Sequence, residues 1–134
     1  MVAIVARDNL NNILRLAAKK VQASSALQAE ILAVEFGSQL CLAQGWNNAI
    51  LFSDAQLVAI AVALRRTPQW DFTFLCLPLF SLLNSCNISV CWIPRVTNKS
   101  THALVSWALR SGHVGFFSTW EIDPYVATIL FLID

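Results

Sequence analysis

No stretch of this 134-residue chain is apolar for long enough to span a bilayer, although 57% of its residues are hydrophobic and only 13% are charged. The longest run, residues 72–83, is broken by Pro78 and stops at Asn84; a spanning helix needs roughly 20 apolar residues. The start, MVAIVARDNL, lacks the basic end, long apolar core and small-residue cleavage site of a secretory leader. An intracellular place, nuclear or cytoplasmic, is therefore expected. The four cysteines, Cys41, Cys76, Cys86 and Cys91, show no CxxC spacing and have apolar neighbours. That excludes a zinc ribbon or disulfide framework and predicts buried free thiols of a reducing compartment. A basic excess is missing too. The net charge is +1, so any nucleic-acid contact must rest on a local patch. There is no internal repeat and no low-complexity linker, and the length suits one domain with a real core.

What is present is an alternation of strand-like and helix-like segments. Residues 2–6 form an unbroken apolar run with β-branched members, as in a strand covered on both faces and inside a sheet. Asp8-Asn9-Leu10-Asn11-Asn12 supplies turn chemistry, and residues 13–21 read as the second strand of a hairpin, although Ala17, Ala18 and the lysines also favour helix. Ser24 or Ser25 caps a helix that runs to about residue 43 and is stopped by Gly45. Residues 49–53 are a short strand. Residues 54–66 are a second helix, with Arg65 and Arg66 at its negative end. Thr67-Pro68 breaks it, and residues 70–83 form another helix, kinked or split at Pro78. A strand at 88–93, a polar loop at 95–99 and a helix at 100–110 follow, the last with Ala103, Leu104, Trp107 and Ala108 inward. After Gly112 no clean period remains, so residues 113–134 are set apart as a tail from a domain over 1–112. The pattern predicts an α/β fold, a mixed sheet covered by helices.

Three places carry groups able to do chemistry. Glu30 shares a helix face with Ala26, Ala33 and Gly37. A carboxylate buried there is costly unless paired or metal-bound, whereas at the stripe's edge it is simply solvated. Asp54 ends a strand and begins a helix, which suits an N-cap; it also sits at the carboxyl end of a strand, where ligands gather in α/β sheets. Hard carboxylate oxygens suit Mg2+, which needs only one or two of them beside substrate phosphates, and two such ions serve phosphodiester hydrolysis. Arg95, Asn98, Lys99 and His102 could meet phosphates, or His102 could move a proton near neutral pH. The same segment also reads as a polar loop with an ordinary histidine at a helix start. Trp46, Trp70, Trp92 and Trp107 read as core, and His113 as exposed.

Taken together, VARDNLNNIL, ASSALQAEILAVEFGSQLCLAQGW, AILFSDAQLVAIAVAL and ISVCWIPRVTNKSTHALVSWAL resemble the plant ribonuclease H-like, reverse-transcriptase-associated domain over about residues 2–112. The resemblance implies a mixed five-stranded sheet with helices on both faces, and Mg2+- (or Mn2+-) dependent cleavage of the RNA strand of an RNA–DNA hybrid. Glu30 matches the glutamate of that family's A-E motif and Asp54 the aspartate of its S-D motif. Arg95, Asn98 and His102 match the pattern at the last strand–helix junction, where catalytic ribonucleases H carry aspartate at the position of His102. These matches imply Glu30 and Asp54 as metal ligands, with His102 at the catalytic site. Arg95 and Asn98 would contact nucleic acid. The family opens with a central strand bearing a further metal-binding aspartate, and here that strand is expected to be missing. Asp8 cannot replace it, because it lies in the hairpin turn. The alternative is a catalytically inactive, retrotransposon-derived domain that binds nucleic acid or another partner.

Overall fold

The computed structural model describes residues 1–112 and 114–117; His113 and the rest of the expected tail lie outside the described residues. The described chain forms five strands, β1 (Val2–Arg7), β2 (Ile13–Lys19), β3 (Ile50–Ser53), β4 (Ser89–Trp92) and β5 (Gly115–Phe117). Its helices are α1 (Ala26–Gln44), α2 (Gln56–Ala63), α3 (Thr73–Ser85) and α4 (Lys99–Ser111). They belong to two compact units. One joins Met1–Gln22 to the chain from Arg95 onward, and the other is Ala23–Pro94. Antiparallel and parallel pairing are both present, as a mixed sheet requires, but in two ladders: β1-β2-β5 and β3-β4. Among the described residues β1 and β3 each end a ladder, so residues 2–6, expected inside a sheet, pair on one side with the described chain, through β2. The strand that the resemblance places beside both is not among the described residues.

In the first unit β2 is central, antiparallel to β1 and to β5. Ala17 and Ala18 favour helix in isolation, yet here Leu16, Ala17 and Ala18 are all buried, and ladder pairing on both sides overrides the local preference. The hairpin turn is built as the sequence suggests. Asp8 Oδ1 accepts from the backbone N–H of Leu10 and of Asn12, each at 2.9 Å, and Asn11 takes the left-handed conformation at φ 68°. α4 lays Leu104, Trp107 and Ala108 onto Ala3, Leu16 and Ala18, and the Trp107 ring meets Phe117 edge-on at 5.2 Å.

The Asn12 backbone N–H, its side-chain amide and the Leu10 N–H together hold the Asp8 carboxyl below its ordinary value of 3.8. A depressed carboxyl adds stability above its unfolded value, and that stability is lost as pH falls through the folded one. Asp8→Asn is therefore expected to flatten the loss of stability on the acid side of pH 3.8. Denaturant midpoints of the two proteins across that range check this; parallel pH dependences would show that the turn does not hold the carboxylate.

In the second unit Ser25 caps α1, its side chain accepting from the Gln28 N–H at 3.1 Å, and Gln28 reaches back to the Ser24 hydroxyl at 2.8 Å. All three helices of this unit end alike. The chain turns left-handed at Gly45, Arg65 and Asn87. The next N–H then bonds back to the helix: Trp46 to Cys41 O at 2.9 Å, Arg66 to Ala61 O at 2.8 Å, and Ile88 to Leu83 O at 2.9 Å. Pro78 lies inside α3 without splitting it; the break falls earlier, where a 3-10 turn at Trp70–Phe72 precedes Thr73. The core gathers Ile31, Val34, Val58, Val62, Leu79 and Leu83 around Ile88 and Val90. Two sequence expectations are corrected here. Cys91 is exposed, because alternation along β4 turns Val90 inward and Cys91 outward. Trp70 and Trp92 are exposed as well, leaving Trp107 as a buried tryptophan.

Arg65 does more than complement a helix end. Its Nη1 donates to Val62 O at 2.7 Å, Nε to Asn84 Oδ1 at 3.0 Å and Nη2 to Ile88 O at 3.4 Å, tying α2 to the α3–β4 connection. Arg65→Ala keeps the left-handed backbone and loses all three bonds, so a loss of about 1–3 kcal/mol in chemical denaturation is expected. A loss within about 0.5 kcal/mol, the range of an ordinary surface change, would show that the guanidinium is not a tie.

Candidate metal and nucleic-acid site

Asp54 follows directly on β3. The parallel ladder holds that strand to its last residue, with the Ile93 N–H, one residue past β4, donating to Ser53 O at 3.0 Å, so the backbone leading into Asp54 is fixed at the carboxyl end of a two-stranded parallel pair. The helix begins later than expected. Ala55 is the N-cap of α2 and offers no side-chain bond, so Asp54 stands one residue before the cap. What shapes the junction is Ser53, whose hydroxyl accepts from the Ala55 N–H at 3.2 Å. That serine was not singled out from the sequence; a hydroxyl two residues before an amide at a strand end is the local signal that could have found it.

Glu30 lies on the second turn of α1, on the face that runs from exposed Ala26 to buried Gly37, and is itself half-buried. It is neither the fully desolvated carboxylate that would demand a partner nor a fully solvated one. α1 packs against β3 within the same unit, so both carboxylates belong to one packed body.

Arg95, Asn98 and His102 belong to the other unit. Arg95 opens a 3-10 turn, Arg95–Thr97, rather than an irregular loop. The Asn98 N–H donates to Arg95 O at 3.0 Å and the His102 N–H to Asn98 O at 3.3 Å. This back-bonding stacks the three residues along one side of the start of α4. Arg95 is exposed, and Asn98 and His102 are half-buried.

Among the described residues no three or more His, Cys, Asp or Glu side chains gather into a metal-binding group. The carboxylates that the second unit offers in the matched positions are two, Glu30 and Asp54. Their hard oxygens fit Mg2+, which binds through one or two carboxylates and completes its shell with water and substrate phosphate.

The profile of the reverse transcriptase-like family matches residues 1–108. The chain belongs to that family. The match takes in Glu30, Asp54, Arg95, Asn98 and His102, and makes this reverse transcriptase-like protein a ribonuclease H-like, nucleic-acid-related domain of α/β fold. No curated protein and no solved structure matches the chain. Among the described residues of this reverse transcriptase-like domain, no helix is long and apolar enough to cross a membrane.

Proposed function

We propose that this domain binds an RNA–DNA hybrid and hydrolyses the RNA strand with Mg2+ or Mn2+. The observation that carries the reading is the family match over residues 1–108, which includes a carboxylate at the end of a parallel strand and another on the helix packed against it. Glu30 and Asp54 would hold the ion. Once bound, it would polarise a phosphoryl oxygen and lower the pKa of an attacking water. Arg95, exposed at the start of its turn, is placed to take a phosphate, with Asn98 beside it as a neutral donor. His102, on the first turn of α4, is the group able to move a proton near neutral pH. Recognition would rest on A-form shape and RNA 2′-hydroxyls rather than on base sequence. An intracellular, nuclear or cytoplasmic setting and a plant retrotransposon ancestry complete the reading.

A second reading is favoured by the donor set, two matched carboxylates and no larger group among the described residues: a catalytically inactive domain that keeps nucleic-acid binding. An end-labelled RNA–DNA hybrid incubated with the protein, with and without Mg2+, separates the two. Cleavage confined to the RNA strand and dependent on metal is expected. Salt-sensitive binding without cleavage would replace the first reading by the second.

A further inference from the structure

The second unit has a cavity of about 270 Å3 whose polar lining is Arg65, Asn84, Asn87 and Ser89. It lies where α2 and α3 end and β4 begins. Ser89 pairs with Ile50 at the start of the parallel ladder, whereas Asp54 follows its far end, so the cavity and that carboxylate are at opposite ends of β3. No acidic residue is among its described lining, and the two cations of this unit, Arg65 and Arg66, both stand at this end. Drug-sized ligands occupy about 300–1,000 Å3, so a cavity of this volume suits a smaller, polar molecule.

That lining has hydrogen bonds to give. Arg65 carries five N–H groups and spends three, on Val62 O, Asn84 Oδ1 and Ile88 O, which leaves one on each Nη. The same bonds hold the guanidinium in place, so a ligand need not order it. Asn84 accepts from Arg65 through Oδ1, and its amide N–H2 has no acceptor among the described residues. The Ser89 hydroxyl has no partner among them either, and alternation along β4 turns it outward, opposite to buried Val90. Asn87 donates to Asn48 Oδ1 and keeps its own side-chain carbonyl as an acceptor. Carbonyls at the two helix ends do not offset these donors, because Ala61 O, Val62 O and Leu83 O already accept from the backbone N–H groups of Arg66, Arg65 and Ile88. Arg65 and Asn87 both hold left-handed backbone, at φ 57° and 52°, which for an arginine is uncommon.

We propose that this cavity binds a phosphomonoester of a hydroxylated sugar, its phosphate on the Arg65 fork, the Asn84 amide and the Ser89 hydroxyl. Arginine offers paired N–H groups to phosphate oxygens, and charge-assisted bonds of this kind are the strong ones. A carboxylate brings two oxygens where a terminal phosphate brings three, so it leaves part of this donor set unused. The acceptor, Asn87 Oδ1, suits a hydroxyl of the sugar. A free sugar phosphate and the phosphorylated end of a nucleic-acid strand present the same chemistry. The site does not rest on metal-dependent cleavage.

Isothermal titration calorimetry with ribose phosphate, and with ribose as the control, tests it. Ribose phosphate is expected to bind and ribose not to. Asn84→Asp keeps the acceptor for Arg65 Nε and puts a negative oxygen where the amide N–H2 stood. The Arg65 tie therefore survives while affinity falls at least about tenfold. Ser89→Ala removes one donor at an exposed position and should weaken binding about three- to tenfold. Arg66→Gln, outside the lining, should leave it unchanged. Oligo-dT with a terminal phosphate identifies the source: binding tighter than that of ribose phosphate, and lost on dephosphorylation, assigns the site to a strand end, and weaker binding assigns it to a free sugar phosphate. No binding of either phosphate, equal binding of ribose, or full affinity in Asn84→Asp overturns the site. A loss in Arg66→Gln as large as that in Ser89→Ala overturns it too, as the mark of diffuse attraction to the two arginines.

Discussion

Replacing Leu83 by alanine is expected to cost about 2–5 kcal/mol, read as a lower denaturant midpoint with little change in slope. Leu83 is fully buried, among Leu79, Ile88 and Val90 of the second unit's core. Its carbonyl also receives the Ile88 N–H that closes α3, so the side chain sits where the helix ends and the chain enters β4. A cavity opened there cannot collapse easily, because helix closure fixes the backbone on one side and the β3–β4 ladder on the other. Leu77 lies on the same helix, is the same residue type and is 59% exposed. Leu77→Ala should stay within about 0.5 kcal/mol, since alanine is at least as good a helix former and no cavity results. The pair separates burial from helix propensity. Equal losses would mean that α3 presents a different face to the core.

The same helix shows why parts of the fold were legible in the sequence and others were not. Features set by local chemistry were readable: the Asp8 turn, the Ser25 cap and the left-handed stop at Gly45 each depend on residues a few positions apart. Of the two outcomes expected at Pro78, a kink or a split, the split does not occur, because the packing of Cys76, Leu79, Phe80 and Leu83 carries the helix through it. β5 was not legible at all. Three residues carry no period, and their conformation comes from pairing with β2 about a hundred positions earlier in the chain. The candidate site divides the same way. Glu30 and Asp54 stand out by residue type and by their place on a helix face and a strand end. The cap position of Asp54 was misjudged by one residue, because Ser53 rather than the carboxylate shapes the junction.

Asp54→Asn is expected to remove metal-dependent cleavage of the hybrid, at least about a hundredfold. A bound ion supplies several kcal/mol of transition-state stabilisation, and each 1.36 kcal/mol is about tenfold. Asparagine has nearly the same shape and Asp54 is half-buried before the helix cap, so the fold should survive with its unfolding midpoint almost unchanged. Glu30→Gln should behave alike for the same reason, half-buried on a long helix. The decisive measurement is the double variant. If both carboxylates hold the same ion, losing one already loses the ion's contribution, and the double variant is no slower than the slower single one. If the two losses multiply instead, the carboxylates act separately and a shared site is wrong. Cleavage that persists in both single variants would mean that neither residue holds the metal, whatever the family match implies about their positions.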